Sequence, residues 1–455
     1  MRSVFFICWV VCILSSVQVF ADQWYCIDSV SFGGNVRTKE QFLLRELGFK
    51  RNECVSEVEL PQLLELARQR LQNTALYNFV SVDTFNVDGR NTVVFNMEER
   101  FPVMPKPNLE FADRNFNVWW AEQNHKLDRL NIGLALLHQN MRGRRETIGV
   151  EVQHGYTPKL AISYDVPFLD KQQRQGIGAA ISVLQNKELA YTTIGNKLRF
   201  KRFEQAYALR QMEASVWYSY RPAFNTTHFM TLSWSNIGIH DSVALLYNSD
   251  YLGKGRRSLS MFGLQYKLQY NAVDNWNYPL VGQRLISRLG IQMVQDYGLM
   301  PSAYLQADWY RRLATNTYAG VIFRGRKVWA KNMPYILQKN MGYDYDEMRG
   351  YEYYVMDGNL FALLRGNLKY RIMHHRFSLP VRYFHHVPLS VFVKAYADGG
   401  YAYQKAAGAN FLNNQLLYSY GIGIDIVTLY DIRIRIEYTF NKQGQSDLYL
   451  HKSGE

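Results

Sequence analysis

The chain has 455 residues, with 52 Lys+Arg against 39 Asp+Glu for a net charge of +13. Aromatic residues reach 15%, led by 33 Tyr and 25 Phe, while mean hydropathy stays at −0.27. No stretch after the N-terminus is long and apolar enough for a spanning helix, so the chain is either an exported soluble protein or a membrane barrel. The aromatic excess at ordinary hydropathy favours the barrel, because alternation keeps half of each strand polar and aromatic girdles mark both interfaces.

Arg2 precedes a nearly unbroken apolar run over residues 4–14, and Val19-Phe20-Ala21 ends in a small residue before Asp22. That order reads as a signal peptide over residues 1–21, placing the mature chain outside the cytoplasm. Its basic charge therefore points to outer-membrane lipid and lipopolysaccharide phosphates and not to nucleic acid. Cys8 and Cys12 would leave with the signal peptide, and Cys26 and Cys54 would remain, an even number that allows a disulfide in an exported protein without establishing it.

Residues 22–101 read as a small α+β domain in β-α-α-β-β order. Residues 25–32 alternate as a strand and end at Gly33-Gly34-Asn35. Thr38 with Gln41, and Ser56 with Glu59, have the spacing of capping boxes for two helices. Gly48 suits the end of the first helix, and Pro61 the first turn of the second. Leu60, Leu63, Leu64, Ala67 and Leu71 recur at helical spacing and define a buried face. Residues 79–87 and 92–97 flank a turn at Asp88-Gly89.

Past Pro102 the helical period gives way to short alternating segments, each near the roughly 9–11 residues of a tilted membrane strand. About 16 can be distinguished over residues 102–455, with ambiguous boundaries between 157 and 210 and a first strand near 109–120. The fold class is therefore mainly β: a 16-stranded antiparallel transmembrane barrel behind one small α+β domain. The even count leaves no edge unpaired in lipid. The 40–50-residue repeat of a soluble propeller is missing.

Enzyme motifs are absent: there is no nucleophile elbow, no His-Glu-x-x-His and no phosphate-cradling glycine loop, so we expect a non-enzyme without cofactor or metal. The pairs His374-His375 and His385-His386 read as turn histidines at a membrane edge. The most informative segment is Met348-Arg349-Gly350-Tyr351, in a long connection over residues 330–357 that joins the eleventh and twelfth strands. Ala397-Asp398-Gly399-Gly400 later interrupts a strand, and its acid on a lumen-facing position is suited to pair with an arginine from an inward-folded loop.

Together these residues resemble the BamA/TamA superfamily, in which a POTRA-type domain precedes a 16-stranded surface-antigen-type barrel. Gly34-Asn35 with Thr38 is similar to the start of a POTRA domain. Met348-Arg349-Gly350-Tyr351 is similar to the family's Val/Ile-Arg-Gly-Phe/Tyr loop motif, and Asp398 to the acid that partners its arginine. Asp274-Asn275 with Pro279 and Gly282 is similar to a hairpin common in these barrels. Departures are the single POTRA domain, Lys369 where the family often places an acid, and an end without a terminal aromatic.

The resemblance implies an outer-membrane assembly factor or translocase of the BamA type. Its N-terminal domain would lie in the periplasm, its partners would be client outer-membrane or secreted proteins, and periplasmic or lipoprotein subunits would assist. The alternative is a two-partner-secretion-like transport pore or a passive channel.

Overall fold

The computed structural model describes residues 23–111, 116–343, 346–378, 386–428 and 432–451. The expected signal peptide and His385 lie outside these residues.

The N-terminal domain contains β1 (Trp24–Ile27), β2 (Ser29–Gly33), α1 (Glu40–Leu47), β3 (Glu53–Ser56), α2 (Leu60–Asn73), β4 (Tyr77–Val87) and β5 (Arg90–Glu99). The single first strand read from the sequence is in fact two. Asp28 divides it, its carboxylate accepting from the Asn91 amide at 2.7 Å. β1 then pairs with β3, bringing Cys26 opposite Cys54 in a disulfide, while β2 runs parallel to β5 and β5 antiparallel to β4. Leu64, Ala67 and Leu71 of α2 are buried as their spacing required, and Leu60 and Leu63 pack at the margin.

Neither capping box forms. The cap position before α1 is Lys39, and the Thr38 amide and hydroxyl both donate to Glu99. A carboxylate on the neighbouring strand out-competes the local side chain for these donors. Ser56 lies in β3 and caps only a turn, accepting from Val58 N at 3.3 Å. Gly48 ends α1 in the left-handed conformation, at φ 82°.

A 16-stranded antiparallel sheet follows: β6 (Val103–Phe111), β7 (Leu130–Gln139), β8 (Thr147–Gly155), β9 (Lys159–Val166), β10 (Gln175–Asn186), β13 (Leu209–Ala223), β14 (Thr226–Ile239), β15 (Ser258–Val273), β16 (Gly282–Val294), β17 (Gly298–Ala314), β18 (Thr317–Val328), β21 (Leu360–Ser378), β22 (His386–Tyr403), β23 (Leu417–Val427), β24 (Arg433–Asn441) and β25 (Ser446–His451). Two hairpins stand outside it, β11–β12 (Glu188–Ile194, Lys197–Arg202) and β19–β20 (Lys339–Met341, Met356–Asp357). The first strand begins and ends earlier than the sequence pattern placed it, and Trp119 and Trp120 lie in a helical turn beyond it.

Alternation sets the two faces of the wall. On β24, Ile434, Ile436, Tyr438 and Phe440 point outward, while Arg435, Glu437, Thr439 and Asn441 are buried on the lumen side. An apolar outer wall with a polar interior is what a lipid surround selects. The strand at Asp398 runs without interruption through its glycines, contrary to the sequence reading. Pairing with β21 and β23 on both sides holds it extended.

The N-terminal domain packs against one mouth of the barrel. Phe168, from the turn between β9 and β10, inserts into the domain's own core beside Phe42. Arg221 makes a two-pronged bond to the buried Glu46 of α1 at 2.6 and 3.0 Å, and Asn140 donates to Thr38 at 2.8 Å.

Truncating a buried phenylalanine costs about 3–5 kcal/mol, so Phe168→Ala should release the domain. Amide exchange is expected to accelerate in α1 while heat-modifiable migration of the barrel is unchanged; unchanged exchange would show that Phe168 does not hold the interface. Thiol labelling of the denatured, unreduced protein should leave Cys26 and Cys54 untagged, and reduction should cost the domain about 2–4 kcal/mol in chemical denaturation.

Candidate functional site

The candidate site is the lumen along β21 to β25, where the segment between β18 and β21 folds inward. Met348, Arg349 and Tyr351 are each at most 2% exposed. Gly350 adopts φ 82°, and a Cβ there would come within 2.8 Å of Thr439 on β24. Only glycine fits a left-handed turn pressed this closely against the wall. Its carbonyl accepts from Asn441 at 2.6 Å, and the Tyr351 hydroxyl donates to Tyr418 O at 3.2 Å.

The Arg349 guanidinium is satisfied on every edge. Nε donates to Asp398 Oδ2 at 2.8 Å and Nη2 bonds Asp398 Oδ1, a fork-on-fork geometry that lysine cannot reproduce. Nη1 donates to Asn367 Oδ1 at 2.7 Å, Glu437 lies 3.6 Å away, and the group stacks over Tyr396 at 3.9 Å. Asn367 and Glu437 therefore occupy the partner positions for which the sequence offered only Asp398.

Lys369, which interrupts the expected acidic pattern, belongs to a second layer of the same network. It approaches Asp425 at 3.7 Å, and Lys394 bridges Asp425 at 2.5 Å and Glu437 at 2.7 Å. Tyr278, from the turn that Asp274 closes, donates to Asp425 at 2.7 Å. His451 of β25 faces Glu347 and Glu352 of the loop and Glu437 of β24, at 3.3–3.5 Å. The last strand is thus tied to the loop through charge. Gly400 contributes space: a Cβ there would meet Met348 Sδ at 2.8 Å.

Several contacts had no local signal. Asn196, at the tip of the β11–β12 hairpin, is fully buried with φ 59°. It donates to Val355 O at 2.9 Å and Asn413 Oδ1 at 2.8 Å, and accepts from Leu412 N at 2.8 Å. One carboxamide thereby joins three connections at the mouth opposite the N-terminal domain. The Gly195-Asn196 turn was visible in the sequence, but its partners lie more than 150 residues away.

The sheet's terminal members, β6 and β25, share no ladder among the described residues. Asn117 spans the gap, donating to Leu448 O at 2.6 Å and accepting from Leu450 N at 3.3 Å, as a neighbouring strand would. The histidine pair His374-His375 lies at the end of β21, with His374 Nδ1 2.8 Å from Ser390 Oγ. No metal-binding group of His, Cys, Asp and Glu occurs among the described residues.

A family model for the POTRA domain, described as a surface antigen variable number repeat, matches residues 25–100. The N-terminal unit is a POTRA domain, and the chain has the BamA-type fold. BamA from Haemophilus ducreyi lacking POTRA domains 1–3 aligns with TM-score 0.51 at 14% identity, over 94% of this chain and 83% of that one. CdiB from Acinetobacter baumannii aligns at 0.50 and 11%, over 93% and 72%. CdiB from Escherichia coli aligns at 0.50 and 11%, over 96% and 91%. At these identities the likeness concerns the fold. No curated protein matches the sequence. The POTRA domain and the lipid-facing wall make the chain an outer-membrane barrel.

Removing one member of a buried ion pair costs about 3–5 kcal/mol, because the other charge is left uncompensated. Arg349→Ala should therefore eject the loop and abolish heat-modifiable migration of the folded barrel, and Arg349→Lys should recover it only in part. Wild-type migration of Arg349→Ala would show that the network does not hold the loop.

Proposed function

We propose that the protein is an outer-membrane assembly factor that inserts or translocates client proteins by strand addition at the seam between β6 and β25. The observation that carries this reading is the seam itself: among the described residues the two terminal strands of the sheet share no ladder and are joined through the Asn117 side chain. A strand edge with unspent donors and acceptors is a template for another strand. β6 carries Pro105 and Pro107, which donate no backbone hydrogen, whereas the six-residue β25 carries no proline. β25 therefore presents an edge that no proline interrupts, with the Leu448 and Leu450 amides held by the Asp447 and Asn117 side chains, which a client strand can displace. A net hydrogen bond contributes about 0.5–1.5 kcal/mol, so exchanging the two Asn117 bonds for a client ladder is energetically accessible.

Orientation follows from the connections. At the POTRA-side mouth they are short, from the two residues 224–225 to the eight residues 167–174, whereas segments 187–208 and 329–359 stand at the far end. Outer-membrane barrels keep short turns in the periplasm and long loops outside. This reading puts the POTRA domain in the periplasm, where clients arrive. The inward loop and the docked POTRA domain favour an assembly factor over an open pore, because both occupy space that a conducting channel needs. The protein acts through binding and strand exchange and not as an enzyme.

Depletion should remove a set of β-barrel proteins from the outer-membrane fraction, measured by quantitative proteomics. Asn117→Ala should raise photocrosslinking between β25 and client strands. An unchanged proteome together with large, steady conductance in planar bilayers would replace this reading with a transport pore.

A further inference from the structure

Inside the POTRA-side mouth, two adjoining cavities of about 520 and 300 Å³ share Arg145, Arg221, Phe224, Asn225 and Asn271 as walls. Arg70, Arg312 and Arg371 line the larger one as well. Three carboxylates also face this crevice, and each is already engaged. Glu46 holds Arg221. Asp274 accepts from the Leu280 and Val281 amides of its own turn, and Asp165 accepts from Trp217 at 2.9 Å. Most of the arginines have acceptors too: Arg70 donates to Leu47 O, Arg312 to Ala314 O and Arg371 to Asn316.

Arg145 differs. Among the described residues its guanidinium has no ion-pair or hydrogen-bond partner. Its backbone sits at φ 65°, a region that long side chains rarely adopt, in a turn where Asn140 Oδ1 accepts from its amide at 2.9 Å. Strain of this kind persists where the surrounding structure enforces it, and it concentrates at binding sites. Beside it, Asn271 is 6% exposed and its Oδ1 has no hydrogen-bond partner among the described residues. Burial, followed by the charge of Arg221, pushes the Arg145 guanidinium below its ordinary value. An anion in the crevice would give Arg145 its partner, and an N–H flanking that anion, as a peptide carries, would satisfy Asn271 Oδ1.

From this geometry we infer that the crevice binds a carboxylate of an acidic peptide segment, with Arg145 as the principal cation. Arg221, Asn271 and Arg371 all come from lumen-facing positions of their strands, so the barrel wall screens the crevice from lipid headgroups. What reaches it enters through the POTRA-side mouth. Carboxamides and the aromatic faces of Phe224 and Trp276 suit a peptide chain flanking the charged group. The inference rests on the reading that clients are polypeptides, and it gives them a first ionic contact beside the POTRA domain.

The test uses the full chain in detergent micelles with two dansylated probes, tetraglutamate and tetraglutamine, followed by fluorescence anisotropy. Tetraglutamate should bind at least tenfold more tightly than tetraglutamine, and severalfold more weakly as salt screens the charges. Arg145→Gln should erase the difference between the probes, and Arg145→Lys should restore most of it. Wild-type tetraglutamate affinity in Arg145→Gln would overturn the inference. So would inorganic phosphate binding, followed by isothermal titration calorimetry and lost in Arg145→Gln, with no tetraglutamate binding, which would assign the crevice to phosphate. The assay needs no client insertion, so an unchanged proteome on depletion would defeat the assembly reading while leaving this site standing.

Discussion

Everything in the barrel's interior depends on one requirement: a charge enclosed by protein and lipid must be paired. Arg349 meets Asp398 edge to edge, and neither group could remain inside the wall without the other. The loop carrying Arg349 is drawn inward because its opposite charge is anchored on β22. Once it is there, Met348 and Tyr351 gain apolar and hydrogen-bonded seats that only an inward-folded loop can reach. Lys369, Lys394, Asp425, Glu437 and His451 extend the pairing to five consecutive strands. The network therefore holds the loop and the terminal strand as one body.

That body stands beside the weakest part of the wall. Closure of a barrel normally spends every edge donor and acceptor, yet among the described residues β6 and β25 meet through Asn117. The rigid network and the sparse seam complement each other: β25 is fixed from the lumen by the charge of His451, so its outer edge can exchange partners without the strand leaving its place. The POTRA domain is fixed at the near mouth by Phe168 and Glu46, and the β11–β12 hairpin is pinned at the far mouth by Asn196. Rigid ends and a rigid interior concentrate the freedom of the molecule at the seam.

Much of this was legible in the residues themselves. Alternating faces are a local property of strands, so 16 membrane segments could be counted from their period, and Gly350 and Asp398 marked the loop and its anchor. The helical face of Leu64, Ala67 and Leu71 and the turn at Gly48 were equally local. Errors arose where a distant group won a local donor. Thr38 and Ser56 had the spacing of caps, but the Thr38 donors went to Glu99, 61 residues away.

The sequence by itself determined the wall, the domain order and the arginine motif, because periodicity and turn chemistry act between near neighbours. Only the tertiary structure decided which charges meet. Lys369 looked like a missing acid, yet strand register sets it opposite Lys394 and within 3.7 Å of Asp425, and brings Glu437 to Arg349 instead. Among the described residues, register also left β6 and β25 without a shared ladder and set the Arg145 guanidinium in a crevice without a partner. Contacts across a barrel depend on how strands are staggered around the whole circumference, and no short stretch of sequence encodes that closure.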